Sequence, residues 1–368
     1  MMRFGQGVVI GKFYPPHAGH RHLITQASEQ SDRLAVVVLG SRFESIGLED
    51  RVKWLAAEFD GTNVTVIGMP DDCPVDYNSG AIWKAHNEVL RLALKMKGIM
   101  AVDAVFSSED YGWQLADDFG AVHVMVDRER TDIPVSGTLC RDDLSAAWPS
   151  IIGPARQDLA VRIIVVGAQS TGTTTLASGL TRHYRARYPG LADVPEYGRQ
   201  FTYDKFAATR AENPNASLAD MVWTAEDFAV IGERQNRMEN EAADRCPLVI
   251  ADTDVITTAL FERVYIGEQS YGSYLAVDRI PRRDLYLITD HDGVPFEDDG
   301  WREADHPREE MTEWFKEELT AAGAPWILVS GSPAERLSTA TEIIDLIIAR
   351  RNAFTSPPWA TRTALTGS

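Results

Sequence analysis

Cysteine is scarce in this 368-residue sequence. Cys73, Cys140 and Cys246 are an odd three, far apart and in no C-x-x-C spacing, which argues against a disulfide framework and against a zinc site. Such usage suits a reducing compartment, and a cytoplasmic location is expected. Long apolar runs are missing as well. No stretch approaches the ~20 residues that span a bilayer. The start shows no basic-then-apolar signal pattern, because Gly11 and Lys12 interrupt its first apolar run. A soluble, unprocessed chain without a membrane partner is the expectation. Basic residues are in deficit, 36 Lys and Arg against 54 Asp and Glu, for a net charge of -18. That balance argues against non-specific binding to a nucleic-acid backbone. Any phosphate-bearing partner must then be held in a local site.

What is present is a repeated alternation. Short apolar runs at 8–10, 34–39, 64–67, 104–106 and 122–126 are separated by helical spacing, and the pattern returns at 163–166, 248–251, 285–288 and 326–329. Alternation of this kind predicts mostly parallel sheets covered by helices. Between the two sets lies AAWPSIIGPARQD, with two prolines and little periodicity. Two tandem α/β domains are therefore expected, one over 1–155 and one over 160–350. The segment 351–368, with adjacent prolines and no periodicity, is expected to be a flexible tail.

Chemistry concentrates where the first apolar run ends, in GKFYPPHAGH. In an open parallel sheet, ligands bind beyond the carboxyl ends of strands. Gly11 permits a tight turn there, and Pro15 and Pro16 stiffen the descent. His17 and His20 then fall at the start of the next helix, where imidazole donors, unpaired backbone amides and Lys12 converge. This predicts an anion site assisted by the helix dipole. A capped turn with two surface histidines is the alternative, and a two-histidine metal site lacks a third ligand.

The H-x-G-H segment resembles the nucleotidylyltransferase superfamily, in which it binds a nucleotide triphosphate. PVSGTLCRDDL resembles the second signature of that superfamily, although Ser136 and Thr138 also suit an ordinary helix N-cap. GLEDRVKWL, SGAIW, VFSSEDYG and VDRERTDIPVSGT are similar to the nicotinamide mononucleotide adenylyltransferase domain of the bifunctional NadR family. The resemblance implies a Rossmann-like domain joining ATP and nicotinamide mononucleotide to give NAD. Lys12, His17, His20 and Arg141 would be its catalytic groups, and Gly11, Phe13, Ser136 and Thr138 its ATP contacts. Trp54, Trp83, Asp127 and Arg130 would hold the mononucleotide. Trp83 can stack on a cationic pyridinium or serve as a core aromatic, and Asp127 and Arg130 can equally form a solvated turn pair.

The second half opens with RIIVVGAQSTGTTTLASGL, a strand, a glycine-rich loop and a helix start. Gly167 and Gly172 have P-loop spacing, and Thr174 stands where a Mg²⁺-binding hydroxyl belongs. Thr173 occupies the lysine position. PLVIADTD places Asp252 and Asp254 at a strand end, where a P-loop fold carries its Mg²⁺-supporting carboxylate. VPEYGRQF and VPFEDDGWR resemble segments of the ribosylnicotinamide kinase domain of the same NadR family. That resemblance implies a P-loop kinase phosphorylating nicotinamide riboside. Gly167, Ser170, Gly172, Thr173, Thr174 and Thr175 would bind ATP, Thr174 and Asp252 the metal. Glu196, Tyr197, Arg199 and Asp299 would contact substrate. Asp254 or Glu196 would be the base, and Arg302, on a closing loop, or Arg199 would replace the absent lysine.

Some members of that family carry an N-terminal helix-turn-helix; here the first strand begins at about residue 7, so repression of transcription is not expected. Three other readings stay open: a second domain that senses nucleotide without turnover, a nucleotidylyltransferase for another phosphate ester, and a class I aminoacyl-tRNA synthetase. The last lacks a Lys-Met-Ser-Lys-Ser segment. Oligomeric state is left open, a homo-oligomer included.

Overall fold

The computed structural model describes residues 3–74, 79–267, 270, 272–275, 280–297 and 307–358. The chain forms two compact units, one of residues up to Arg156 together with those from Asn352 on, the other of Gln157–Arg351. Each contains one all-parallel sheet with helices between its strands.

The first unit runs β1 (Phe4–Gly11), α1 (Ala18–Glu29), β2 (Ser31–Gly40), α2 (Leu48–Glu58), β3 (Val64–Pro70), α3 (Gly80–Met96), β4 (Ala104–Ser107), α4 (Tyr111–Phe119) and β5 (Val122–Met125). The short helices α5 (Gly137–Asp142) and α6 (Leu144–Ala147) follow, and α7 (Gly153–Leu159) runs on from the first unit into the residues of the second. Strand order is β3-β2-β1-β4-β5. The central strands read as unbroken apolar runs because helices cover both faces; Val8, Val9, Val36 and Val37 are fully buried. Since β1 pairs with β2 on one side and β4 on the other, the connections diverge there and leave a crevice beyond the strand ends.

The second unit contains β6 (Val161–Gly167), α8 (Thr173–Tyr184), α9 (Tyr197–Glu212), α10 (Ala225–Arg245), β7 (Leu248–Asp252), α11 (Val255–Ile266), α12 (Gly272–Leu275), β8 (Leu285–Thr289), α13 (Arg308–Ala321), β9 (Trp326–Val329) and α14 (Pro333–Arg351). Its order is β7-β6-β8-β9. Val165 pairs with Asp252 across β6 and β7. This register sets the Asp252 carboxyl beside the loop that leaves β6.

The end of the chain departs from the expected flexible tail. Its residues up to Pro358 return to the first unit: the Tyr14 hydroxyl donates to the Thr355 carbonyl at 2.7 Å and the Thr355 hydroxyl to the Phe43 carbonyl at 2.7 Å. The Phe354 ring meets Tyr14 edge to face. An aperiodic segment gives no sequence signal for such docking, because a few side chains and backbone groups carry it. No helix of the described residues is long and apolar enough to cross a membrane.

Candidate functional site

In the first unit a cavity of about 480 Å³ opens beyond β1 and β4, and Gly11, Lys12, Phe13, His17, His20, Trp83, Asp127, Arg130 and Arg141 contribute to its wall. His17 is the N-cap of α1 with extended backbone, and its own amide donates to His20 Nδ1 at 3.3 Å. The two rings stack with centroids 3.7 Å apart. Two charged imidazoles would repel at that separation. Burial first, then the charges of Arg130 and Arg141, push His17 down to about 4. Burial, His17 and Arg130 hold His20 well below its ordinary value. Both rings are therefore neutral near pH 7. With Nδ1 of His20 accepting from an amide, its proton resides on Nε2, which makes that atom a donor.

Arg141 approaches from α5 and is fixed in two places. Its guanidinium donates to the Tyr14 carbonyl at 2.7 Å and to the Thr138 hydroxyl at 3.2 Å. Lys12 is tethered at 3.0 Å to Glu44, whose other oxygen is 2.9 Å from the wholly buried Arg51. Arg51 in turn donates to the Lys12 carbonyl at 2.8 Å. The loop after β1 is thus braced by a buried ion pair that also positions a cation. Asp127 has left-handed backbone (φ 44°) and accepts from the amides of Thr131, Asp132 and Ile133. Those bonds shape the turn carrying Arg130.

Three residues expected at this site do other work. Trp54 is buried on α2 and does not line the cavity; an aromatic on the apolar face of an amphipathic helix goes to the core. Ser136 caps α5 by accepting from the Leu139 amide, and Thr138 holds Arg141. Neither lines the cavity, and both serve the N-terminus and the arginine of their own helix.

The second unit holds a larger cavity, about 1060 Å³, lined by the whole loop from Gly167 to Thr175. Gly172 has φ 91° and admits no side chain without strain. A Cβ at Gly167 would collide with the Thr289 hydroxyl. The Thr174 hydroxyl donates to Asp252 at 2.6 Å, and the Thr173 hydroxyl also favours the charged form of that carboxylate. Burial raises Asp252 above its ordinary value, against the two hydroxyls and the charge of Arg199. A buried carboxylate answered by hydroxyls under a phosphate-type loop is a donor set of hard oxygens, which fits Mg²⁺. Arg336 supports the loop from beneath, donating to the carbonyls of Thr171, Gly331 and Asp290. Glu196 and Arg199, 3.6 Å apart, both line the cavity.

Asp254 does not. It is fully buried, caps α11 by accepting from the Ile256 and Thr257 amides, accepts from the Tyr286 hydroxyl at 2.7 Å and lies 3.4 Å from Arg283. The carboxylate expected as a kinase base is a structural anchor, and Glu196 is the member of that pair in the cavity wall. Tyr197 is also absent from the wall; it starts α9 with its amide bonded to Gln235, and its ring meets Phe201. Asp299 and Arg302 lie outside the described residues. Asp254→Ala is expected to cost about 3 kcal/mol of stability in the second unit, because it leaves Arg283 short of a buried partner. Urea unfolding checks this, and a variant as stable as wild type but without kinase turnover would return Asp254 to the chemistry.

A family described as an AAA domain matches residues 162–336. The trifunctional NAD biosynthesis/regulator protein NadR of Salmonella typhimurium strain LT2 is 26% identical over 314 residues, covering 80% of this chain and 71% of that protein. The Escherichia coli K12 protein of the same name is 26% identical over 316 residues, with the same coverage. The chain is a homologue of NadR. Two NadR crystal structures share its fold. The complex with NR has a TM-score of 0.56 at 20% identity, covering 93% of this chain and 96% of that one. The complex with NAD and AMP-PNP has a TM-score of 0.54 at 21% identity, covering 94% and 96%.

In this NadR homologue the larger cavity has an aromatic wall that motif reading misses. Trp223 lies 5.4 Å from Phe228 and 5.6 Å from Tyr265, centroid to centroid, and Lys205 stands over the Trp223 ring. Scattered over a loop and two helices, these residues form no local pattern. Only the fold collects them.

Proposed function

We propose that this NadR homologue is a two-step enzyme of NAD biosynthesis: the second unit phosphorylates nicotinamide riboside with ATP, and the first transfers an adenylyl group from ATP to the mononucleotide, releasing pyrophosphate. The observation that carries the reading is the neutral, stacked His17–His20 pair at the start of α1, in one cavity wall with Lys12, Arg130 and Arg141. No covalent nucleophile is required. The mononucleotide phosphate attacks the α-phosphorus of ATP, so the site must align two anions and stabilise charge on the leaving pyrophosphate. Neutral imidazoles donate hydrogen bonds without surrendering protons, while the fixed arginines supply the charge. Trp83 lines the cavity with its indole N–H bonded to Asp118, leaving a ring face for the pyridinium.

In the second unit the loop amides cradle the ATP phosphates. Thr174 and Asp252 would hold Mg²⁺, which when bound neutralises charge between the β- and γ-phosphates. Glu196, in the wall of the cavity, would orient the riboside hydroxyl. Trp223 and Tyr265 offer flat faces for its cationic ring.

Incubating the protein with ATP, Mg²⁺ and either riboside or mononucleotide, then separating the products, tests both steps. Riboside should give mononucleotide and NAD, and mononucleotide should give NAD alone. No NAD from mononucleotide refutes the first step, and no ADP with riboside refutes the second. Trp83→Ala is expected to raise KM for the mononucleotide about fivefold or more, with KM for ATP nearly unchanged. Steady-state kinetics in each substrate decide it, and a parallel rise for ATP would assign Trp83 to general packing.

A further inference from the structure

Beside the first cavity, three side chains that the adenylyl-transfer reading does not use meet at one point. Asp71 follows β3, Cys73 stands two residues on, and His86 reaches them from α3. Their ligand atoms lie within 4.8 Å of one another. His86 Nδ1 is 2.6 Å from Asp71 Oδ2, and its Nε2 is 3.1 Å from the Pro74 carbonyl. The other Asp71 oxygen accepts from the Cys73 amide at 3.0 Å, and the Cys73 thiol stands within ligand distance of both groups. Cys140 and Cys246 are buried, whereas Cys73 is partly accessible.

From this geometry we propose that Asp71, Cys73 and His86 form a binding site for a borderline-soft divalent cation of the Zn²⁺ type. The donor set is one thiolate, one imidazole and one carboxylate, all ligands that Zn²⁺ takes and, for sulfur and nitrogen, ligands that Mg²⁺ does not favour. The second ring nitrogen of His86 already points its N–H at a backbone carbonyl, the arrangement that fixes a metal-bound histidine and aims the other nitrogen at the ion. A ring protonated at both nitrogens satisfies its two acceptors without metal. The ion replaces the Nδ1 proton and the Cys73 thiol proton, and both protons leave to solvent. Local net charge is unchanged, because one divalent cation substitutes for two protons. All three residues line the cavity, so the remaining coordination position opens toward it. The other cluster of ligand type, His22 with Asp127 and Asp132, offers no such site, because the Asp127 carboxylate is occupied by backbone amides.

Co²⁺ serves as the probe because thiolate coordination gives it a charge-transfer band. Titrating the full-length protein with Co²⁺ should produce that band, saturating at one ion per chain, bleached by added Zn²⁺ and untouched by added Mg²⁺. Cys73→Ser should abolish the band. His86→Ala should weaken Co²⁺ binding by about tenfold or more, with thermal melting confirming a folded protein. If Cys73→Ser does not fold, His86→Ala and Asp71→Asn carry the test through the loss of affinity alone. A wild type without the band overturns the site, as does a band that survives Cys73→Ser. Binding unaffected by both His86→Ala and Asp71→Asn would leave coordination by a thiol alone, and overturns it equally. The readout is independent of NAD formation, so its failure leaves the proposed function standing.

Discussion

His20→Ala is expected to lower NAD formation from mononucleotide by ~100-fold or more while leaving riboside phosphorylation unchanged, since a donor aimed at a transferring phosphoryl group is commonly worth that much. The structure gives the reason for so large an effect from an uncharged side chain. His20 is stacked on His17, held by the amide of the N-cap residue and kept neutral by burial, so its donor atom is fixed before substrate arrives. Alanine removes that donor, and water filling the space has no fixed orientation. Chromatographic assay of both half-reactions on the same folded variant is the check. Adenylylation surviving within a few-fold would show that Arg141 and the helix amides suffice.

A larger loss is expected in the second unit from Arg199→Ala: riboside-dependent ADP release should fall by ~1000-fold or more, while ATP binding weakens far less. The magnitude follows from cations placed beside transferring phosphates in P-loop enzymes. Thr173 brings no charge to the position a lysine would hold, while its neighbour Thr174 bonds to Asp252. Among the described residues, Arg199 lines the cavity and acts electrostatically on Asp252. Arg182 and Arg336 line it as well, but Arg182 stands in the last turn of α8, more than two turns past Thr173, and Arg336 is committed to three carbonyls beneath the loop. Single-turnover ADP release and equilibrium ATP binding separate the two effects. If Arg199→Ala turns over within tenfold of wild type, the compensating cation is elsewhere. If wild type binds ATP without any riboside-dependent ADP release, the second unit senses nucleotide and does not transfer phosphate.

The nine strands of the described residues stand where short apolar runs predict them; the central ones, buried on both faces, leave an uninterrupted signal. The two loops that leave β1 and β6 were legible for a related reason: Gly11, His17, His20, Gly167 and Gly172 sit in contiguous segments whose backbone demands are local. Side chains that act across the fold were not legible. Asp254 and Asp252 are two residues apart at one strand end, yet one faces the cavity and the other an arginine and a tyrosine from elsewhere in the unit. Nothing in ADTD distinguishes them. Trp54 and Trp83 pose the same problem, since both lie on amphipathic helices and only packing sends the first inward. The wall of Trp223, Phe228 and Tyr265 likewise has no linear signature.

The return of the chain to its first unit changes what that unit is. It is interrupted: the second unit is an insertion between Arg156 and Asn352, and Ser356 and Pro357 complete the wall of the first cavity. Tyr14 links the two ends, its hydroxyl holding the Thr355 carbonyl and its own carbonyl holding Arg141. During synthesis, then, the amino-terminal unit is the last to be finished, since the wall of its cavity waits until the whole inserted unit has been translated. Cutting the gene after residue 156 would yield a first domain with an open wall; dissection needs a short linker from 156 to 352 instead.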